Sequence, residues 1–167
     1  MCYPGDSIRE EYKEDILVGY RWHDTKKIPA LFPFGHGLSY TTFAYGKPQA
    51  SAKTMASDGS LSVSVPVKNT GHVAGKEVVQ LYIGDDRCEQ LRPLKELKHF
   101  RKIYLLPGEE KTVTFTLTPD DLKYYDPLAC AWLADEGKFT VYIGSSSADI
   151  RGKLSFEMVN VVHPTSN

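Results

Sequence analysis

The run Leu61-Ser62-Val63-Ser64-Val65-Pro66-Val67-Lys68 decides the fold. Apolar and polar residues alternate along it, the period of a strand that buries one face and wets the other. Pro66 falls on the outward set, so its missing N–H is expected at an edge or an unpaired position. Asn69-Thr70-Gly71 then supplies a turn. Beyond it, Glu77 to Ile83 is nearly continuous in apolar character, which predicts a central strand. Leu97 to Leu105 is a third strand, and the cluster Lys95, Lys98, Arg101 and Lys102, interleaved with Glu96, reads as a solvated edge guarded by lysines.

Downstream, Pro107-Gly108-Glu109 turns the chain, and Val113, Phe115 and Leu117 alternate cleanly within Lys111 to Thr118. Thr118-Pro119-Asp120-Asp121-Leu122 predicts a short helical turn, capped by Thr118 with Pro119 at its first position. Ala131-Trp132-Leu133 and Lys138 to Ile143 read as paired strands around Glu136-Gly137, with the Trp132 ring in the core. Leu154, Phe156 and Met158 mark a last strand. About seven short strands, regular turns and no long helix predict an all-β, antiparallel β-sandwich.

Composition narrows the function. Charged residues make up 25% and hydrophobic ones 41%, and the formal net charge is −1. That balance carries no basic footprint for nucleic acid or an anionic membrane. No apolar run approaches the roughly 20 residues that span a bilayer. Met1-Cys2-Tyr3-Pro4-Gly5-Asp6 lacks the basic-then-apolar layout of a signal peptide. Cys2, Cys88 and Cys130 are odd in number and widely spaced, which favours three reduced thiols over a Cys88–Cys130 disulfide and gives no zinc pattern.

The region before the sandwich is of another kind. Phe32-Pro33-Phe34-Gly35-His36-Gly37-Leu38-Ser39-Tyr40-Thr41-Thr42-Phe43 is a Gly-punctuated aromatic loop. Gly35 and Gly37 permit tight turning or positive φ on either side of His36. A short loop cannot bury its own rings, so it is expected to wedge between packed bodies. About twenty residues earlier stands Tyr12-Lys13-Glu14-Asp15-Ile16-Leu17-Val18-Gly19-Tyr20-Arg21, in which Ile16 to Tyr20 suggests one strand and Lys26-Lys27-Ile28-Pro29 a loop. This stretch is expected to lie along the sandwich or to be mobile.

Taken together, these motifs resemble the C-terminal part of family 3 glycoside hydrolases, the β-glucosidase and β-xylosidase group. The resemblance rests on the Val18-Gly19-Tyr20-Arg21 and Phe32 to Phe43 segments, then Asn69-Thr70-Gly71, Gly75 to Tyr82, Arg92 to Phe100, Leu106 to Glu109, and Gly137 to Gly144, in the family's order. It covers about Tyr12 to Phe156. It implies a fibronectin type III-like sandwich over residues 41–160, an extension from the end of a preceding α/β domain over 1–40, and a tail over 161–167. In such enzymes the nucleophilic Asp and the general acid lie in preceding domains, so the chain is read as a non-catalytic terminal piece of a parent hydrolysing β-glycosidic bonds, with no cofactor and no metal. Its partner would be the catalytic domains of the same parent, met through Tyr20, Arg21, Trp22, Phe32, Phe34, Gly35, His36, Gly37, Tyr40 and Phe43. Parents of this type are often secreted or periplasmic.

Each candidate for chemistry also has a local reading. Asp85-Asp86, Glu109-Glu110 and Asp120-Asp121 sit in turns, where carboxylates face solvent. Glu14 is expected in a salt bridge with Arg21, and His36 in hydrogen bonds to loop backbone. The rival to an accessory domain is a free-standing module binding oligosaccharide or polysaccharide. It would stack sugars on exposed aromatics, with Trp22, Tyr124, Tyr125 or Trp132 as the candidates and the core as the favoured place for Trp132.

Overall fold

The computed structural model describes residue 8, residues 12–85 and residues 92–160. In chain order the elements are helix α1 (Tyr20–Lys26) and strands β1 (Phe43–Tyr45), β2 (Gln49–Ala50), β3 (Thr54–Ala56), β4 (Leu61–Asn69), β5 (Gly75–Asp85), β6 (Glu96–Leu105) and β7 (Glu110–Leu117). A 3₁₀ turn (Pro119–Asp121) precedes β8 (Tyr124–Asp126), β9 (Ala131–Leu133), β10 (Gly137–Gly144) and β11 (Ile150–Val159). One sheet is built on β4, which pairs with β7 along one edge and with β1 and β2 along the other. The second runs β3-β11-β10-β5-β6. All its pairings are antiparallel except β3 against β11, which is parallel.

The alternation read from β4 is the alternation observed: Leu61, Val63, Val65 and Val67 are buried and face Val113, Phe115 and Leu117 of β7 in register. Opposite them, Val79, Leu81 and Ile83 of β5, Phe139, Val141 and Ile143 of β10, and Phe156 and Met158 of β11 close one hydrophobic core. Pro66 behaves as its chemistry requires. Its carbonyl accepts from Gly46 N at 2.8 Å, so its proline nitrogen faces the break between β1 and β2. Strand β6 lies at the sheet edge, as its lysines predicted.

Several expectations are corrected. The four strands beyond the expected seven, β1, β2, β3 and β8, are only two or three residues long, too short to announce a period. Residues 16–20 form no strand: Gly19 at φ +63° starts α1, and its carbonyl accepts from Trp22 N and His23 N. Strand β9 pairs with β8, not with β10. The reason is local, since Asp126 Oδ1 accepts from Leu128 N (2.8 Å) and Ala129 N (3.2 Å) and folds a hairpin. Trp132 therefore leaves the core and is 65% exposed. The 3₁₀ turn is as expected, with Thr118 at its N-cap and Pro119 in first position, and Asp121 Oδ2 accepts from Thr118 N at 2.8 Å.

Of the turn carboxylates, Glu110 and Asp120 are exposed as expected, while three others are engaged locally. Asp85 pairs with Arg92 at 2.8 Å, Asp121 with His99 at 3.0 Å, and Glu109 accepts from Leu106 N at 2.7 Å. Cys130 is a free, exposed thiol. Cys2, Cys88, Asp86, the segment Met1 to Asp6 and the tail 161–167 lie outside the described residues.

Strand β5 shows why its sequence is continuous rather than alternating. Val79, Leu81 and Ile83 face the core, while Gln80 and Tyr82 on the other face are also buried. That second face is covered by the N-terminal segment.

Candidate docking surface

Residues 20–35 lie along the outer face of the second sheet, held by specific anchors. Tyr20 stacks on Phe34 (centroids 4.7 Å apart), meets the buried Tyr82 edge-on at 5.9 Å, and its hydroxyl accepts from Leu97 N at 2.8 Å. Asp24 pairs at 2.6 Å with Lys95, whose ammonium is buried over the Tyr82 ring. Lys95 thus points inward, unlike the solvated lysine expected from the sequence. Arg21 pairs with Glu96 at 3.0 Å, not with Glu14. Burial holds the Tyr82 phenol above its ordinary range.

Gln80 fixes the aromatic loop to the sandwich. Its Nε2 donates to Gly35 O (3.2 Å) and Ser145 O (2.6 Å), and its Oε1 accepts from the Tyr82 hydroxyl. Ser147 N adds a bond to Phe34 O at 2.9 Å. Gly35 sits at φ +77°, and a Cβ there would fall 2.4 Å from Gln80 Oε1. Gly35→Val is therefore expected to cost about 2–3 kcal/mol and to release the loop from the sheet. Limited proteolysis checks this, with cleavage within 31–40 accelerated and the sandwich left intact.

Beyond these anchors the loop turns outward. Leu31 is 89% exposed, Phe32 73%, Leu38 94% and Tyr40 101%. Gly37 has no positive φ, and a Cβ on it would meet nothing within 4 Å. His36 N donates to Pro33 O at 3.0 Å, but its ring lies 6.2 Å from Phe32 rather than on backbone. Tyr12, Ile16, Val18 and Ile28 continue the exposed apolar surface on the same extension. Phe43, by contrast, belongs to β1 and packs against the sandwich core. Trp22 is half-buried under Lys26, whose Nζ lies 5.3 Å from its ring. The structure thus brings Tyr20, Phe34 and Gly35 together as anchors and leaves Phe32, His36, Gly37 and Tyr40 facing out.

Leu31, Leu38 and Gln80 were not singled out from the sequence. Leu38 lies in a loop that offers no core, and Gln80 is the polar residue inside an apolar run. Both signals were readable.

Between residues 35–43 and the sheet runs a cleft of about 630 Å³, lined by Lys76, Glu77, Lys102, Asp149 and Arg151. Glu77 Oε1 accepts from the Tyr45 hydroxyl at 2.7 Å. Arg151 donates to Asp149 Oδ2 (2.8 Å) and to Phe43 O (2.6 Å), and Ser145 Oγ donates to Asp149 Oδ2 at 2.6 Å. Burial raises the Glu77 carboxyl above its ordinary range, outweighing the Tyr45 bond and Arg151. Burial and then the Glu77 charge raise the Tyr45 phenol as well. The bonds from Arg151 and Ser145 lower Asp149.

A raised folded value means that Glu77 contributes most below its unfolded value near 4.5 and loses that contribution as pH rises through the folded value. Asp149 has the opposite sign, losing its contribution as pH falls through its lowered value. Glu77→Gln keeps an acceptor for Tyr45. It is expected to flatten the fall in stability above about pH 4.5, read from melting temperatures across pH.

A family model described as a fibronectin type III-like domain matches residues 77–147, from within β5 to just past β10. Over those residues the chain is similar to fibronectin type III-like domains, in keeping with its two-sheet β-sandwich. The β-glucosidase BoGH3A of Bacteroides ovatus is 64% identical over 95% of this chain, which is 21% of that protein. Thermostable β-glucosidase B of Acetivibrio thermocellus is 49% identical over 97% of this chain and 22% of that protein. The crystal structure of a GH3 β-glucosidase from Bifidobacterium adolescentis superposes with a TM-score of 0.85 at 34% identity, over 94% of this chain and 23% of that one. The chain thus spans about a fifth of the length of the curated relatives it matches.

Among the described residues of the domain, no group of three or more His, Cys, Asp and Glu side chains is arranged to hold a metal ion. No helix among them is long and apolar enough to cross a membrane.

Proposed function

We propose that the chain is a non-catalytic accessory domain of a β-glucosidase-like family 3 glycosidase. It buttresses the catalytic domains of the same parent, which hydrolyse terminal β-glycosidic bonds. The docking element is the loop 31–40 with the apolar surface of the extension before it.

One observation carries this reading: a loop stapled to a complete sandwich at Phe34 and Gly35 aims Leu31, Phe32, Leu38 and Tyr40 into solvent. Exposed apolar groups on so well anchored a loop serve a second body, because burying each one is worth about 1.5–3 kcal/mol. Gly37 fits the same picture, since its missing side chain leaves room only for something outside the chain. The relatives supply the second body, being about five times longer single chains.

Glycosidic hydrolysis needs an acid and a second carboxylate flanking the bond. The cleft does hold Glu77 and Asp149, with protonation shifted in opposite directions. Local surroundings account for both shifts: burial raises Glu77, which Tyr45 holds, and the bonds from Arg151 and Ser145 lower Asp149. They are read here as a network that ties β1, β5 and β11 together.

The test uses Leu38→Ser/Tyr40→Ser. In the full-length parent the double variant is expected to lower the melting temperature by several degrees, corresponding to about 2–4 kcal/mol. In the isolated chain it should change nothing, and that chain should leave an aryl β-glucoside intact. An unchanged parent contradicts the proposal, as does hydrolysis by the isolated chain that Glu77→Gln abolishes.

A further inference from the structure

The hairpin β8–β9 presents a second feature, independent of the docking loop. Tyr125 and Trp132 are direct cross-strand partners, so both side chains leave the same face of the hairpin. Their centroids are 5.7 Å apart with planes at 67°, which makes an L-shaped shelf of an indole and a phenol. Tyr125 is half-exposed and Trp132 more so, and the indole N–H meets no acceptor among the described residues. The inward-facing Tyr124 is taken up: its hydroxyl donates to Asp135 at 2.7 Å and Arg92 lies 5.0 Å from its ring. Charged groups stand close in sequence, with Lys123 paired to Asp120 at 2.6 Å just before the hairpin.

We infer that Tyr125 and Trp132 form a carbohydrate-contacting shelf for a β-linked gluco-oligosaccharide. The chemistry is complementary on both sides. A β-gluco-configured pyranose turns axial C–H bonds towards both ring faces, and these meet the electron-rich face of an indole favourably. Its equatorial hydroxyls project sideways, towards the free indole N–H and the polar groups near the hairpin. The size of the patch argues against a protein partner. Two rings of about 150–250 Å² each fall well short of the roughly 800 Å² per partner of a stable interface. Of the aromatics that the sequence offers for sugar contact, Trp22, Tyr124, Tyr125 and Trp132, the shelf takes Tyr125 and Trp132, the latter lying outside the core in which the sequence had favoured it.

The experiment is a titration of the 167-residue chain carrying Trp22→Phe, so that Trp132 is the sole tryptophan, with cellotetraose, read by tryptophan fluorescence. Ligand-observed saturation-transfer NMR on the unaltered chain provides a second reading. A saturable change is expected, with affinity lost by about tenfold or more in Tyr125→Ala. The NMR signal should vanish in Trp132→Ala, whose folding is checked by far-ultraviolet dichroism. Leu38→Ser/Tyr40→Ser should bind as the parent sequence does, which separates this shelf from the docking loop. Absence of saturation up to the solubility limit overturns the inference. So does a saturation-transfer signal that survives Trp132→Ala, or a Trp132→Ala effect on the full-length parent's melting temperature with no effect on cellotetraose binding.

Discussion

Asn69→Leu is expected to lower the stability of the chain by about 3–5 kcal/mol, a fall of roughly 10 °C in melting temperature for a chain of this size. Asn69 is fully buried at the end of β4, and all four of its side-chain hydrogen bonds are made. Its Oδ1 accepts from Thr41 Oγ1 (2.6 Å) and Gly71 N (3.0 Å), and its Nδ2 donates to Val73 O (2.8 Å) and Leu105 O (3.1 Å). One side chain thus joins the start of the sandwich, the β4–β5 turn and the end of β6. Leucine fills the volume but strands the two carbonyls, the amide and the hydroxyl. Asn69→Asp should be at least as harmful at neutral pH, because it keeps the acceptors but sets a carboxylate against two carbonyls. Thr42→Val, at an exposed hydroxyl pair, is the control and should cost within about 0.5 kcal/mol. Thermal melts that place Asn69→Leu beside that control would contradict the account.

The second large effect is expected at the anchor of α1. Asp24→Ala leaves the Lys95 ammonium buried over Tyr82 with no counter-charge, and should cost about 3 kcal/mol. Replacing both partners, Asp24→Ala with Lys95→Met, removes the stranded charge and should recover most of that loss. Denaturant titrations of the two singles and the double give the coupling. Equal losses in Asp24→Ala and the double variant would show that the pair does not hold the extension to the sheet.

How much of this was readable depends on where the burial is periodic. Strand β4 and strand β7 bury one face each, so their alternation gave the sandwich directly. Strand β5 was read as central from its continuity, but the cause was hidden, because nothing in its sequence says that Tyr20 and Gly35 cover the outer face. Hairpin β8–β9 misled for a related reason. A Trp between Ala and Leu reads as core, and only the turn made by Asp126 shows that β9 pairs away from the sheet. The aromatic loop was legible as a loop that could not bury itself. Its anchors were not, because Gln80 and Ser147 reach it from far along the chain.

The central claim is that residues 31–40 meet the catalytic domains of the parent, and side-chain oxidative footprinting reads this directly. In the isolated chain Tyr40, Leu38 and Phe32 should label heavily, as their exposure requires. In the full-length parent they should be protected by about tenfold or more, an expectation set by removal of apolar side chains from water. Equal labelling of these three residues in both contexts would contradict docking through this loop.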